Sequence, residues 1–249
     1  MKTVVRVLFV AFNVLEAQVA PPQMPPRQDS VDVSANISKK QLERENQLDR
    51  LLAQAEKDRS QDDFASALIG FRKALATVRS EPLLREQEDR VLSKVSRAYL
   101  EVKQPEEAVR SYAALLELRK DDCRPDAKEI ERCAEAQCDL GLAQMYRGDF
   151  SAAVSILREA VTTYGTAASG DHLEEYRMIK LKQRAEAQTL LATALFRTGR
   201  RSDALGILDS AIKQLDTVQR NENIQDSIRA SARSGLRQAE QVLGALKDK

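Results

Sequence analysis

Four stretches of 21 residues align without a gap, and that repetition constrains the fold more than any other feature of the chain. They are "AEKDRSQDDFASALIGFRKAL" from Ala55, "SRAYLEVKQPEEAVRSYAALL" from Ser96, "GLAQMYRGDFSAAVSILREAV" from Gly141 and "ATALFRTGRRSDALGILDSAI" from Ala192. Each opens on a small residue, meets a turn after about seven residues, and then carries an alanine: Ala67, Ala108, Ala153 and Ala204. Four residues on stands a large apolar side chain (Phe71, Tyr112, Leu157, Leu208), and three further on Ala74, Leu115, Ala160 and Ala211. Positions i, i+4 and i+7 share one face of a helix. The spacing therefore predicts helical hairpins whose second helix uses alanine for close approach and the large residue to fill the gap beside it. The turns read Gln61-Asp62-Asp63, Lys103-Gln104-Pro105, Arg147-Gly148-Asp149 and Thr198-Gly199-Arg200.

Composition agrees. Ala, Leu, Glu, Arg, Lys and Gln dominate, tryptophan is absent, and glycine and proline number only 9 and 7. These are residues that lose little side-chain freedom in a helix, so the fold class expected is all-α. The 43% hydrophobic content suffices for a core.

"DLGLAQMYRGDFSAAVSILREA", residues 139–160, resembles the tetratricopeptide repeat (TPR) through Leu140, Gly141, Gly148, Phe150, Ala153 and Ala160. The resemblance implies an α-solenoid, a right-handed superhelix of about four hairpins over residues 38–218 with a capping helix over 219–249. The key alanines are 41, 45 and 51 residues apart, longer than the family's usual period of about 34. Extra turns or loops must fit between hairpins, as in kinesin-light-chain-like repeats. "TTYGTAASGDHLEEY" is similar to an inter-repeat loop of that subgroup. The last stretch, "NIQDSIRASARSGLRQAEQVLGALK", spaces Ile224, Ile228, Leu236, Ala239, Val242, Leu243 and Leu246 as a helix would, with Gly235 as an expected break. Arg147-Gly148-Asp149 reads as a turn and not an adhesion tripeptide, because the other three copies place different residues there.

Ahead of the repeats, "MKTVVRVLFVAFNVLEAQVA" has Lys2 and Arg6, an apolar run Val7–Leu15 and then small residues, the layout of a signal peptide cleaved after Ala17 or Ala20. The run is too short to span a bilayer. The expectation is an exported protein of a bacterial periplasm or cell envelope, with no stable membrane span after cleavage; a cytoplasmic protein is the alternative. Residues 21–37 hold four prolines within 21–26 and read as a disordered linker. Asn36-Ile37-Ser38 fits a glycosylation acceptor, but Ser38 with Gln41 also forms a capping box to open the first long helix.

Charge excludes some partners. Lys and Arg number 39 against 38 Asp and Glu, and a balanced chain lacks the basic footprint of a nucleic-acid binder. No catalytic constellation, cofactor motif or metal-ligand set is recognisable. The single histidine, His172, lies in a Gly-Ser-Asp loop. Cys133 and Cys138 are five apart in one helix, about 140° around its axis, and cannot bond to each other. Cys123 could fold back onto Cys133 or Cys138 in an oxidising compartment, or all three could remain thiols. A zinc site would need a fourth ligand, and a redox function would need a low-pKa thiol.

The resemblance places the first helix of each hairpin along a concave groove. Carried over, the groove candidates are Glu56, then Arg90, Lys94 and Arg97, then Leu142, Met145 and Tyr146, then Thr193, Phe196 and Arg197. Arg90, Lys94 and Arg97 form one basic face, with apolar contact beside it. The function implied is a non-catalytic scaffold for a protein or peptide, held as an extended segment with an acidic group. Leu52 and Glu56 stand where a chaperone-tail clamp would need Lys and Asn, which disfavours that ligand. The alternative is a structural, self-associating component of a cell-envelope assembly, so a homo-oligomer stays open.

Overall fold

The computed structural model describes residues 29–170 and 173–247, with side chains from residue 38 onward. The segment read as a signal peptide, the prolines of residues 21–26 and His172 lie outside the described residues. Nine α-helices and two short 3₁₀ turns follow one another among the described residues, with no strand. They are α1 (Asp29–Ser60), α2 (Phe64–Ser80), α3 (Glu88–Glu101), α4 (Pro105–Leu118), α5 (Ile130–Arg147), α6 (Phe150–Gly170), α7 (Glu174–Arg197), α8 (Arg201–Arg220) and α9 (Asp226–Lys247). The chain divides into a short unit, Met1–Lys40, and the main body, Gln41–Lys249. Within the main body each helix from α2 to α9 packs on its neighbour in sequence, the signature of a solenoid.

The repeated spacing becomes the core. Ala67, Ala108, Ala153 and Ala204 have no exposed surface, nor do Phe71, Leu157 and Leu208, and Tyr112 is 2% exposed. The opening small residues Ala55, Ser96 and Ala192 are equally buried, and Gly141 packs directly on Leu157. The buried Ser96 hydroxyl is satisfied twice, by Leu92 O at 2.8 Å and Ser111 Oγ at 2.7 Å. An unmade bond there would cost about 1–3 kcal/mol.

All four hairpin turns have one geometry. The residue eighth in each repeat, Asp62, Lys103, Gly148 or Gly199, takes a left-handed conformation with φ of 61°, 59°, 88° and 80°. The amide after it bonds back five residues and its own amide bonds back three: Asp149 to Gln144 O and Gly148 to Met145 O, with the same pairs at the other three turns. This is the Schellman closure of a helix. Glycine adopts it freely, whereas Asp62 and Lys103 carry strain of roughly 1 kcal/mol. Asp149 Oδ1 then caps α6 by accepting from Ala152 N at 3.0 Å, and Oδ2 pairs with Arg147 at 3.0 Å. The Arg-Gly-Asp carboxylate is thus engaged by its own turn.

The long periods have distinct causes. Between α2 and α3 a 3₁₀ turn, Pro82–Gln87, buries Leu84 completely. Between α4 and α5 a second turn, Lys120–Cys123, is tied to α5 by a disulfide from Cys123 to Cys133 with the Cα atoms 5.0 Å apart. Closing a loop of ten-residue separation stabilises by roughly 3 kcal/mol in the chain-entropy account. Cys138 takes no part in it and is a free thiol. The third period is longest because α6 and α7 run to 21 and 24 residues.

Two expectations are corrected. The first helix begins at Asp29, so residues 29–37, read as linker, are helical, and Ser38 is inside α1 instead of capping it; none of the four prolines falls in that span, so nothing there stops the helix. Gly235 does not break the last helix: α9 is continuous through it. A Cβ there would stand 3.2 Å from Leu215 Cδ2, so the glycine permits close packing of α9 on α8.

Candidate partner-binding groove

The first helices of the hairpins, α1, α3, α5 and α7, carry all the groove candidates. At the α1–α3 end the expected basic face is already neutralised. Arg90 pairs with Asp49 at 3.3 Å, Lys94 with Glu56, and Arg97 lies 4.0 Å from Glu101. Lys94 also sits 6.0 Å from the centre of the Phe71 ring. Arg90 and Lys94 therefore pair across to α1, whereas Arg97 faces Glu101 on its own helix and is left most exposed, at 67%.

At the α5–α7 end a cleft of about 280 Å³ is lined by Leu142, Met145, Tyr146, Phe150, Thr193 and Arg197. It brings together three groove candidates from α5 and two from α7. Phe150, at the start of α6, closes the cleft, and its ring lies 4.4 Å from the Arg197 guanidinium carbon. Arg197 makes no ion pair among the described residues, so its donors remain available. Tyr146 is 65% exposed, unusual for a large side chain on an apolar floor. Phe196, the third candidate on α7, is partly buried against the core and does not line the cleft. Sequence reasoning placed Phe150 in the repeat pattern but not in the cleft wall; the signal was its position directly after the turn, which aims it back at the first helix.

Asp139, one turn before Leu142 on α5, is a further partly buried group with no local pattern to mark it in the sequence. Burial pushes its carboxyl up to about 6; Arg97 opposes this, Glu135 reinforces it and Arg119 opposes it. A carboxyl raised on folding contributes stability below its unfolded value of 3.8 that is lost as pH rises through about 6. Asp139→Asn is therefore expected to stabilise the protein by about 2–3 kcal/mol near neutral pH. In urea titrations the gain should vanish below about pH 4; an equal gain at both ends of the pH range would refute the assignment. Burial likewise pushes the Cys138 thiol up to about 12, which keeps it protonated and a poor nucleophile.

No family model and no curated protein matches the chain. Solved structures do. A kinesin-light-chain-type protein of Podosopora anserina with nearly identical TPR-like repeats superposes with a TM-score of 0.56 at 18% identity, covering 81% of this chain and 89% of that one. BtubC (BKLC) from P. vanneervenii gives a TM-score of 0.55 at 14% identity, covering 88% and 86%. The chain thus has the fold of TPR-like helical-repeat proteins, an all-α solenoid.

Proposed function

We propose that this protein is a non-catalytic scaffold that binds an extended segment of a protein partner along its first helices, with the anchor at the α5–α7 cleft. The observation that carries the reading is that cleft. An exposed tyrosine, a methionine and an unpaired arginine converge on a space of about 280 Å³. That volume falls just below the roughly 300–1,000 Å³ of small-molecule pockets and suits one large side chain of a peptide. Met145 adapts its shape to what enters. Tyr146 offers apolar area at low entropic cost, and Arg197 can donate to a peptide carbonyl or carboxylate. The ion pairs at the α1–α3 end shift the anchor away from the basic face and toward the apolar cleft.

We place the protein in the bacterial envelope, on the N-terminal charge and apolar pattern and on the Cys123–Cys133 disulfide, a bond that persists in oxidising compartments. Selection from a random peptide library should yield ligands with a common apolar anchor. Tyr146→Ala and Arg197→Ala should each weaken them by about tenfold, or about 1.4 kcal/mol. Ligands indifferent to both substitutions would remove the cleft from the proposal. Loss of the first 17–20 residues in the mass of protein from an exporting host would support the location; an intact Met1 would overturn it.

A further inference from the structure

A second trough lies on a different set of helices and is independent of the α5–α7 cleft. It runs between α2 and α4 with α3 as its floor and encloses about 500 Å³. Leu92, Val95 and Tyr99 of α3 form the floor, with Leu75 at the foot of the α2 wall; Leu75, Leu92 and Val95 are 9%, 3% and 2% exposed. The walls are small where they face each other, at Ala76 on α2 and Ser111 and Ala114 on α4, so no side chain of the protein fills the space. The rim is basic. Arg72 and Arg79, seven residues apart on α2, face Arg110 on α4, and Glu107 is the one carboxylate among the lining residues.

The charge here differs from that of the first-helix face. Arg90, Lys94 and Arg97 each have a carboxylate partner, whereas Arg72 makes no ion pair among the described residues. Arg79 and Arg110 pair with Glu88 and Glu107 at 2.7 and 2.8 Å but remain 52% and 74% exposed. Ion pairs this exposed are worth about 0–1 kcal/mol and exchange readily for another carboxylate. The unopposed positive charge of the trough is concentrated on its α2 wall, where Arg72, Lys73 and Arg79 share a helix with no acidic residue; α4 adds Arg110 against Glu106, Glu107 and Glu117.

We infer that this trough docks an acidic amphipathic helix of a partner protein. Seven residues of α2 span about 10 Å, room for two turns of a helix laid along the walls. Its apolar stripe would cover Leu75, Leu92 and Val95. Carboxylates flanking that stripe would meet Arg72 and Arg79 on one side and Arg110 on the other, with the planar guanidinium groups suited to bidentate contact.

The test uses the full chain and a fluorescent amphipathic peptide with leucine on one face and glutamate flanking it, beside a twin carrying lysine for glutamate. The glutamate peptide should bind saturably, the lysine twin at least about tenfold more weakly. Arg72→Glu with Arg110→Glu should cost about tenfold or more, and so should Ala76→Trp, which fills the trough without changing charge. Tyr146→Ala should leave this binding unchanged. Equal binding of the two peptides, absence of saturable binding, indifference to Ala76→Trp, loss at Tyr146→Ala, or displacement by an oligonucleotide duplex as effective as the peptide would each overturn the inference.

Discussion

Asp89→Ala is expected to lower the unfolding free energy by about 3 kcal/mol, because it leaves an almost fully buried guanidinium without its counter-charge. The Arg119 side chain is only 9% exposed. Its Nε and Nη2 donate to the two Asp89 oxygens at 2.6 and 3.1 Å, and its Nη1 donates to Arg132 O at 2.8 Å. Arg132 Nη2 donates to Asp89 Oδ2 at 2.8 Å, and Arg132 also reaches Glu129 and Asp122. One carboxylate on α3 therefore holds the residue after α4 and the first turn of α5. Asp89→Asn keeps the shape but removes the charge and one acceptor oxygen, and should cost slightly less. Equilibrium urea unfolding checks both, and a loss below 1 kcal/mol for the alanine variant would show that water or Glu135, 4.0 Å from Arg119, replaces the carboxylate.

The same aspartate and Asp139 titrate in opposite senses. Burial works against the charged form of Asp89, but Arg119 and Arg132 outweigh it and hold the carboxyl below its ordinary 3.8. Asp89 thus supplies stability that is present above about pH 4 and lost as pH falls through the depressed value. The Asp139 penalty begins near its unfolded 3.8, grows as pH rises and is complete by about 6. The two effects therefore meet near pH 4, where Asp89 is fully engaged and the Asp139 penalty is only beginning.

The hairpins were legible in the sequence because each is a local object. Ala153, Leu157 and Ala160 share a face by helix geometry alone, and the turn at Gly148 is decided by a residue free to take a positive φ. What the sequence hid was pairing across distance. Asp49 and Glu56 meet Arg90 and Lys94 across 41 and 38 residues, so the basic face read from α3 alone looked like a ligand site. Asp89 finds Arg119 and Arg132 across 30 and 43 residues and offered no local pattern at all. The cleft was partly legible: Leu142, Met145 and Tyr146 follow from helical spacing on α5, but Phe150 enters from the next helix through the turn. Lys103 shows the converse limit, since a lysine with φ of 59° is set by the hairpin's closure and not by its own preference.

Leu157→Ala is expected to cost about 3–5 kcal/mol, and Gly141→Ala should be the change that restores part of it. Leu157 has no exposed surface, and cutting its isobutyl side chain back to a methyl loses both the transfer energy and the packing around the cavity left behind. The space is not shared evenly. A Cβ built on Gly141 would lie 2.5 Å from Leu157 Cγ, 2.6 Å from its Cδ2 and 3.1 Å from Ile156 Cγ2. With Leu157 in place, Gly141→Ala gains about 1 kcal/mol of helix propensity but forces a locked core side chain to move, which typically costs about 1–3 kcal/mol; the single variant should be neutral to destabilising. With Leu157 already alanine the obstruction is gone, so the propensity gain is kept and the new methyl fills part of the void. The double variant should therefore be more stable than Leu157→Ala alone by about 1 kcal/mol or more, a coupling that double-mutant cycles resolve for residues in contact. Strict additivity would mean that α5 shifts away from α6 to admit the methyl, and that the close approach at the first position of this hairpin is not what fixes glycine there.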